Sequence, residues 1–545
     1  MPSFKSLLIA NRGEIALRIL RTARRMGLRT IAVYSDADRD APHVRAADEA
    51  VRIGGPAPRD SYLDIGAILR AGGEAVHPGY GFLSENADFA EAVLKAGRTW
   101  VGPPPAAIRA MGDKANAKAI AARAGVPVLP TYDKDPAFPV MIKALAGGGG
   151  RGMRLVRSKA ELAAALKSAR SEAGHAFGDE RVLLEKALLR PRHVEIQVFA
   201  DGRGNCVHLG ERDCSVQRRH QKLIEETPSP AVDAKLRAQM GKAAIAAAKA
   251  VGYVGAGTVE FLLEEGRFWF MEMNTRLQVE HPVTERVTGL DLVEWQLRVA
   301  AGEPLPARQQ DIGFSGHAIE ARLCAEDPAR DLLPQAGTLT QWQPSSRVRV
   351  DHALAPGIEI TPFYDSLVAK LIAHAPTRDE ARAQLAAALE ETVATGVPTN
   401  KDFLAAVLRD RRFANGEATT DFLSHFDPEA GDFGEWSGWS NNPAHHSLGS
   451  ERFFERHASR DPLRRRGAGD GRLLAPMNGR VVSVNAKAGD TIPANKVLVV
   501  LEAMKMEHVL EFPFAVKVKT VHVAAGAQVA PGKLLVEFEP ETQTA

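Results

Sequence analysis

Leu7 to Ala10 is a short apolar run that reads as a buried strand, Glu14 to Met26 carries its apolar positions at helical spacing, and Thr30 to Tyr34 is apolar again. A β-α-β opening is predicted, and the pattern runs on to about Pro104 with Gly54-Gly55 and Gly72-Gly73 as turn signals. From about Met111 the character changes. A helix holds Lys114 and Lys118, an apolar run Val140 to Ile142 ends on Lys143, and a glycine loop follows: Gly147, Gly148, Gly149, Gly150, Arg151, Gly152. Strand-like segments at Arg181 to Lys186, His193 to Ala200, Thr258 to Leu263 and Phe268 to Met273 predict an α+β unit. Next, Asn274, Arg276, Gln278 and Glu280 alternate with Thr275, Leu277 and Val279, which would put four polar side chains on one face of an extended segment. A third region, Gly316 to Phe426, mixes short strands with a helix from Arg378 to Val393.

Residues 427–471 are rich in Gly, Ser, Asn, His and Arg and read as a tether, with one short ordered piece expected around Trp436 to Trp439. A flexible chain of about 45 residues has an end-to-end distance of roughly 35–40 Å. Beyond it lies an internal repeat at an offset of 37 residues, matching Val481 with Val518, Gly489 with Gly526, Lys496 with Lys533 and Glu502 with Glu539. Each half reads strand, glycine turn, short strand, strand, so the two halves predict a small all-β sandwich. Between them Glu502-Ala503-Met504-Lys505-Met506 must reverse a strand, which holds Lys505 at a hairpin tip.

Composition narrows the function classes. The 545 residues hold 69 Lys plus Arg against 67 Asp plus Glu, with basic residues scattered, so neither a nucleic-acid groove nor an anionic-membrane anchor is expected. No run approaches the roughly 20 apolar residues of a bilayer span. The chain enters a strand at once, so a removable targeting peptide is not expected and the cytoplasm is the expected location. Cys206, Cys214 and Cys324 are too few for a disulfide framework and lack zinc-ligand spacing, which fits a reducing compartment. Asp36 follows the second strand as in dinucleotide folds, but the turn Asn11-Arg12-Gly13-Glu14 lacks G-x-G-x-x-G.

The glycine loop is not a Walker sequence, yet its backbone N–H groups can approach polyphosphate oxygens without a Cβ in the way. Lys114 and Lys143 are point charges suited to phosphate, and Glu260 and Glu272 on neighbouring strands, with Asn274, make an oxygen set suited to Mg²⁺ or Mn²⁺.

Eight stretches resemble biotin carboxylase, an ATP-grasp enzyme, in family order: ANRGEIALRIL from Ala10, HPGYGFLSEN from His77, MGDKANAK from Met111, GGGGRGMR from Gly147, PRHVEIQV from Pro191, ERDCSVQRRHQK from Glu211, EMNTRLQVEHPVTE from Glu272 and GHAIEARLCAEDP from Gly316. Ala503-Met504-Lys505-Met506 resembles the attachment sequence of biotin carboxyl carrier domains. The whole is similar to the α subunit of a biotin-dependent acyl-CoA carboxylase. That resemblance implies an α/β and α+β fold in five parts: an N-terminal Rossmann-like domain (1–110), an ATP-grasp domain (111–315), a mixed C-terminal carboxylase domain (316–445), a linker (446–471) and a biotinyl domain (472–541).

It also implies roles. ATP would meet Lys114, Lys143, Gly147 to Gly150, Gly152, His193, Gln217 and His220, with Glu185, Lys186 and Leu188 as an adenine-contacting hinge in which Ala187 replaces the family's usual aromatic. Glu260, Glu272 and Asn274 would hold the metal. Arg276 would grip bicarbonate, Glu280 would be the general base, Arg322 would stabilise the biotin oxygen, Lys222 would act near the phosphates, and Tyr80 would lie near biotin, itself attached to Lys505. Cys214 is expected to pack beside Lys222 rather than to be a nucleophile. The implied partners are biotin protein ligase and a carboxyltransferase β subunit, within an oligomer. About 45 residues leave no room for a carboxyltransferase or for the docking domain that many such α subunits carry. Thr284 to Pro306 reads closest to the methylcrotonyl-CoA and geranyl-CoA types. A biotin-carrying scaffold with weak or no ATP-grasp activity is the alternative.

Overall fold

The computed structural model describes residues 3–133, 135–145, 153–177, 179–218, 220–426, 471–477, 479–494, 496–503, 506–512, 515–530 and 532–539. Gly147 to Gly150, Gly152, the tether with Trp436 to Trp439, and Lys505 lie outside them.

The opening pattern builds a five-stranded parallel sheet in the order Glu49–Gly54, Arg29–Ser35, Ser6–Ile9, Ala75–His77, Thr99–Trp100. The central run is apolar at every position because helices cover both faces of a parallel sheet. Leu7 and Ile9 pack with Ile15 and Ile19 of the helix Gly13–Arg25, while Leu8 faces Ile31, Val76 and Phe89 on the other side. Gly73 has a φ of +84°, and a Cβ there would fall 2.8 Å from Leu8 Cβ, so the turn into the central strand requires glycine.

An eight-stranded antiparallel sheet carries the centre of the molecule. Its order is Arg267–Asn274, Gly255–Glu264, Arg192–Ala200, Cys206–Arg218, Gln221–Thr227, His317–Cys324, Leu367–Ala375, Arg349–His352. One sheet thus serves both the central and the C-terminal regions of the carboxylase part. A three-stranded sheet, Arg154–Val156, Val140–Ala144 and Val182–Lys186, stands opposite. The helix Lys114–Arg123 is started by Asp113, whose carboxylate accepts the Asn116 N–H at 2.8 Å and so fixes Lys114 in the first turn.

Three local differences from the sequence pattern have physical causes. The hairpin Cys206–Arg218 and Gln221–Thr227 escapes the apolar pattern because its charged residues pair inside the protein. The strand that begins at Arg267 stops at Asn274, so Thr275 to Glu280 is a loop and not extended. The helix from Arg378 ends at Glu391, with Thr392 extended and Val393–Thr395 a short strand.

The C-terminal repeat forms two four-stranded sheets around Val481, Leu498, Leu501, Val518 and Leu535. The halves exchange their short strands: Gly479–Val484 pairs with Gln528–Val529, and Val516–Val521 with Thr491–Ile492. Its Met477 packs on Leu333 of the carboxylase part, and Arg330 donates to the Pro476 carbonyl at 3.3 Å. Among the described residues no helix is long and apolar enough to cross a membrane.

Candidate active site

A cleft of about 1220 Å³ opens between the three sheets. Its floor is built by strand register. Glu272, Glu260, Glu195 and Arg212 are successive cross-strand partners on four neighbouring strands, so their side chains share one face. Lys222 enters from the hairpin beside them. Its Nζ donates to Glu195 Oε2 at 2.6 Å, Glu260 Oε1 at 2.9 Å and Glu280 Oε1 at 2.6 Å. Glu195 gives its other oxygen to Arg212 at 2.6 Å, and Glu280 gives its other oxygen to Arg322 at 2.9 Å. Arg322 also donates to Glu225 at 2.5 Å.

Burial alone would drive these groups neutral; paired charges prevail over it at Glu280, Lys222 and Arg322, whereas burial leaves Glu195 raised and pushes Glu225 up to about 7. Burial raises Glu280, yet Lys222 and Arg322 hold it well below the usual carboxylate range. Burial lowers Lys222, and its three carboxylates raise it well above the ordinary lysine value. Cys214 is buried with its Sγ 3.9 Å from Glu280 Oε1, and burial pushes its thiol far up, which suits packing and not nucleophilic attack.

Glu280 ends the loop and stands at the start of the helix His281–Thr288, with Pro282 in the first turn. Although that loop is not extended, its polar side chains still converge. Arg276 donates to Glu85 Oε2 at 2.9 Å, Gln278 Oε1 at 2.6 Å and Asn274 Oδ1 at 3.2 Å. Asn274 and Gln278 in turn donate to Glu260 Oε1 at 2.8 and 3.1 Å. His193 Nε2 lies 2.9 Å from the second oxygen of Glu260.

Across the cleft stand Lys114, Lys143, Lys186 and Leu188. The Glu185 carboxylate is clamped by Lys118 and by Lys143, the latter at 2.6 Å, and its backbone is paired opposite Met141 on one side and Thr131 on the other, which leaves Lys186, Ala187 and Leu188 as the hinge residues that line the cleft. Gln217 lines the cleft, and His220 sits on the hairpin turn in a left-handed conformation (φ +67°). The sequence-named residues of the site therefore line one cavity, apart from Glu185 and Glu280, which are buried behind its wall, and those outside the described residues.

Glu260 and Glu272 offer carboxyl oxygens from directly opposed positions, with the Asn274 amide beside them. Burial and the neighbouring Glu260 raise Glu272, a cost that a cation between the two would remove. This all-oxygen set fits Mg²⁺ or Mn²⁺. Two other groupings, His193 with Glu195 and Glu260, and Glu195 with Cys214 and Glu280, have ligand atoms within 4.8 Å, but Lys222 and Arg212 already fill them.

Sequence reasoning passed over Glu85, Glu195, Arg212 and Glu225. Glu85 stands inside the quoted HPGYGFLSEN and Glu195 inside PRHVEIQV, where alternation alone gave no reason to prefer them. Arg212 is fully buried, with Gln197, Thr258 and Thr284 as further acceptors.

Four sequence families match in succession: "Biotin carboxylase, N-terminal domain" over residues 3–108, "Carbamoyl-phosphate synthase L chain, ATP binding domain" over 89–308, "Biotin carboxylase C-terminal domain" over 320–425 and "Biotin-requiring enzyme" over 472–538. Biotin carboxylase 1 of Bacillus subtilis is 50% identical over 444 residues, covering 78% of this chain and 99% of that protein. The mitochondrial methylcrotonoyl-CoA carboxylase subunit alpha of Arabidopsis thaliana is 50% identical over 443 residues, covering 77% of this chain, and the chain spans about 60% of that relative's length. Among solved structures, the Hydrogenobacter thermophilus 2-oxoglutarate carboxylase biotin carboxylase domain, in complex with MgADP, ADP and bicarbonate, matches with a TM-score of 0.75 and 46% identity, covering 77% of this chain and 97% of its own. Campylobacter jejuni biotin carboxylase matches with a TM-score of 0.75 and 45% identity, covering 78% and 99%. With this cleft, these matches and a biotin-requiring domain over residues 472–538, the chain belongs to the biotin carboxylase family.

Proposed function

We propose that this chain uses ATP and bicarbonate to carboxylate biotin attached to Lys505 of its own C-terminal domain, and that a separate carboxyltransferase moves the carboxyl group to an acyl-CoA. The observation that carries the reading is the position of Glu280, a buried carboxylate shared between Lys222 at 2.6 Å and Arg322 at 2.9 Å, both of which line a cleft that also presents the oxygen set of Glu260, Glu272 and Asn274.

Arg276 presents a planar fork to bicarbonate, exchanging its bonds to Asn274 and Gln278 for bonds to the anion. Glu280 takes the bicarbonate proton as the oxygen attacks the γ-phosphorus, and the bond to the β–γ bridging oxygen breaks to release ADP. As anionic substrates draw Lys222 and Arg322 away from it, the proton affinity of Glu280 rises at the moment it is needed. Lys222, Lys114 and Lys143 neutralise phosphate oxygens; a metal held by Glu260 and Glu272 would add charge neutralisation there. Gln217 and His220 would approach the nucleotide from the hairpin, and Lys186 and Leu188 from the hinge. The carboxyphosphate formed breaks down to CO₂ and phosphate, and the phosphate removes the proton of the ureido nitrogen. Arg322 faces the ureido oxygen that gains negative charge, and the deprotonated nitrogen then attacks CO₂, forming the N–C bond and passing the charge to the new carboxylate.

The methylcrotonoyl-CoA carboxylase relatives support a branched, unsaturated acyl-CoA, and the propionyl-CoA carboxylase alpha chain of Ruegeria pomeroyi supports a short saturated one. The reading includes a β subunit that carries the carboxyltransferase, a biotin protein ligase, an oligomeric state and a cytoplasmic location, although the plant and rat relatives are named mitochondrial.

The test is ATP hydrolysis by the purified, biotinylated chain. It is expected to depend on bicarbonate and to rise with free biotin, and Lys505→Ala is expected to lose the streptavidin signal. Turnover that ignores bicarbonate would end the catalytic reading and leave a biotin-carrying scaffold.

A further inference from the structure

Lys370 is among the largest side chains with no exposed surface, and the reaction as derived does not use it. It sits on the strand Leu367–Ala375 directly across from Arg322, so the two cations share a face of the sheet. Its ammonium donates to the carbonyl of Val279, the residue before Glu280, at 2.8 Å. The same nitrogen lies 3.1 Å from Glu14 Oε1.

Glu14, in the first turn of the helix Gly13–Arg25, accepts the hydroxyl of Tyr80 on that same oxygen. Asn11, just before the helix, donates to the carbonyls of Pro78 and Tyr80 at 2.7 and 2.8 Å. The turn between them closes tightly: a Cβ at Gly79 would fall 2.9 Å from the Asn11 amide nitrogen. Two loops that are some 200 residues apart in sequence, one with Tyr80 and one with Val279, therefore meet on a single Lys370–Glu14 pair.

Asp351, Glu320 and the buried His281 also feel the charge of Lys370. Asp351, the other cross-strand partner of Lys370, is taken by Arg349 at 2.7 Å and Arg21 at 2.7 Å. Glu320, two residues before Arg322, is fully buried with neither carboxyl oxygen hydrogen-bonded, and burial pushes its carboxyl well above the usual range against the pull of Lys370 and Arg322.

We propose that Lys370 is a positioning residue: through Val279 it sets the base Glu280, through Glu14 it sets Tyr80 over the opposite side of the cleft, and the two halves of the site are thereby assembled together. A lysine that only filled the core would hold the fold but would not link two kinetic parameters. The inference rests on the carboxylase reading of the cleft.

The experiment uses the full biotinylated chain with free biotin as the acceptor, comparing Lys370→Met, Lys370→Gln, Glu14→Gln and the Lys370→Met/Glu14→Gln double variant. Small misplacements of a reacting group cost up to about a hundredfold in rate. Lys370→Met is expected to lower kcat about tenfold or more with the KM for ATP within about twofold, and Lys370→Gln, which keeps a donor, to recover part of that loss. Glu14→Gln is expected to raise the KM for biotin about tenfold, and the double variant to be no worse than the worse single one. A folded Lys370→Met with unchanged kcat, or effects that simply add, would overturn the proposal. Should Lys370→Met not fold, Glu14→Gln decides alone, and an unchanged biotin KM with unchanged kcat overturns it. Failure of the unsubstituted chain to hydrolyse ATP in response to bicarbonate would instead overturn the carboxylase reading.

Discussion

Lys222 Nζ stands 2.6 Å from Glu280 Oε1, and the same ammonium holds Glu195 and Glu260 at 2.6 and 2.9 Å. One cation thus gathers carboxylates from two strands and a helix start, and Arg322 takes the oxygen of Glu280 that Lys222 leaves. Such a cluster is costly to bury unless its members are paired, and here Lys222, Glu260 and Arg322 carry the pairing out to the cleft while Glu195, Arg212 and Glu280 lie behind it. Its charges are arranged to be redistributed when anions enter.

Glu280→Gln keeps the shape of the side chain and a hydrogen-bond acceptor for Arg322 while removing the proton acceptor. Lys222 retains Glu195 and Glu260. Bicarbonate-dependent ATP hydrolysis is expected to fall about 10²–10⁴-fold, the usual contribution of a positioned base. Nucleotide affinity, measured by titration calorimetry, should change by less than about threefold. Near-normal turnover would remove Glu280 from the role of base.

The motif residues were legible because their types are unusual in context: a lysine at the end of an apolar strand, paired acids on adjacent strands, and a lysine at the centre of an internal repeat. What ties them together was not. Glu195 looks like any alternate residue in His193 to Val198, and only the register that sets it beside Arg212 and Glu260 makes it a partner of Lys222. Arg212 reads as a surface charge until the hairpin is folded and four polar side chains close on it. The loop after Asn274 imitates a strand in its alternation, but the strand pairing ends at Thr258 with Asn274, and the chain turns into the helix that starts at His281. Contacts distant in sequence, such as Lys370 with Glu14, leave no periodic trace.

Glu272 should act on metal more than on fold. It is partly exposed and opposes Glu260 across the strands, so Glu272→Gln removes one anionic oxygen donor without stranding a buried cation. The Mg²⁺ concentration needed for half-maximal ATP hydrolysis is expected to rise about tenfold, with the melting temperature within about two degrees. An unchanged Mg²⁺ requirement would exclude Glu272 as a ligand.

Leu333 and Met477 join the carboxylase part to the carrier, and Pro328, Asp331 and Leu332 beside Leu333 line the cleft. Leu333→Ala should weaken delivery of the carrier while leaving the cleft chemistry intact. Carboxylation of free biotin is expected to stay within about twofold of the unsubstituted chain, and carboxylation of the attached biotin, followed with labelled bicarbonate, to fall severalfold. Equal effects on both acceptors would show that this contact does not guide the carrier.

His77 gives the fold an acid sensitivity with a definite sign. Its Nδ1 accepts the Gly79 N–H at 3.0 Å and its Nε2 faces Gln296 Oε1 at 3.2 Å, an arrangement that needs the neutral ring with the proton on Nε2. Burial lowers its pKa from 6.5 to about 4, and burial does the same to His43. An imidazole depressed on folding stabilises the native state fully above the unfolded value of about 6.5, and that stability drains as pH falls toward about 4, because the unfolded chain takes up a proton that the native chain refuses. Each ring contributes a slope of up to about 1.4 kcal/mol per pH unit in that window. Glu225 and Glu326, both raised to about 7 by burial, act with the opposite sign in this window, so the histidine contribution is read by difference: in urea unfolding between pH 7 and 5, His77→Gln should lack close to one proton of the slope relative to the unsubstituted chain, while His43 keeps its own. Because the Gly79 N–H precedes Tyr80, the variant should also raise the KM for biotin, and a pH slope identical to that of the unsubstituted chain would show that His77 is not neutral in the native state.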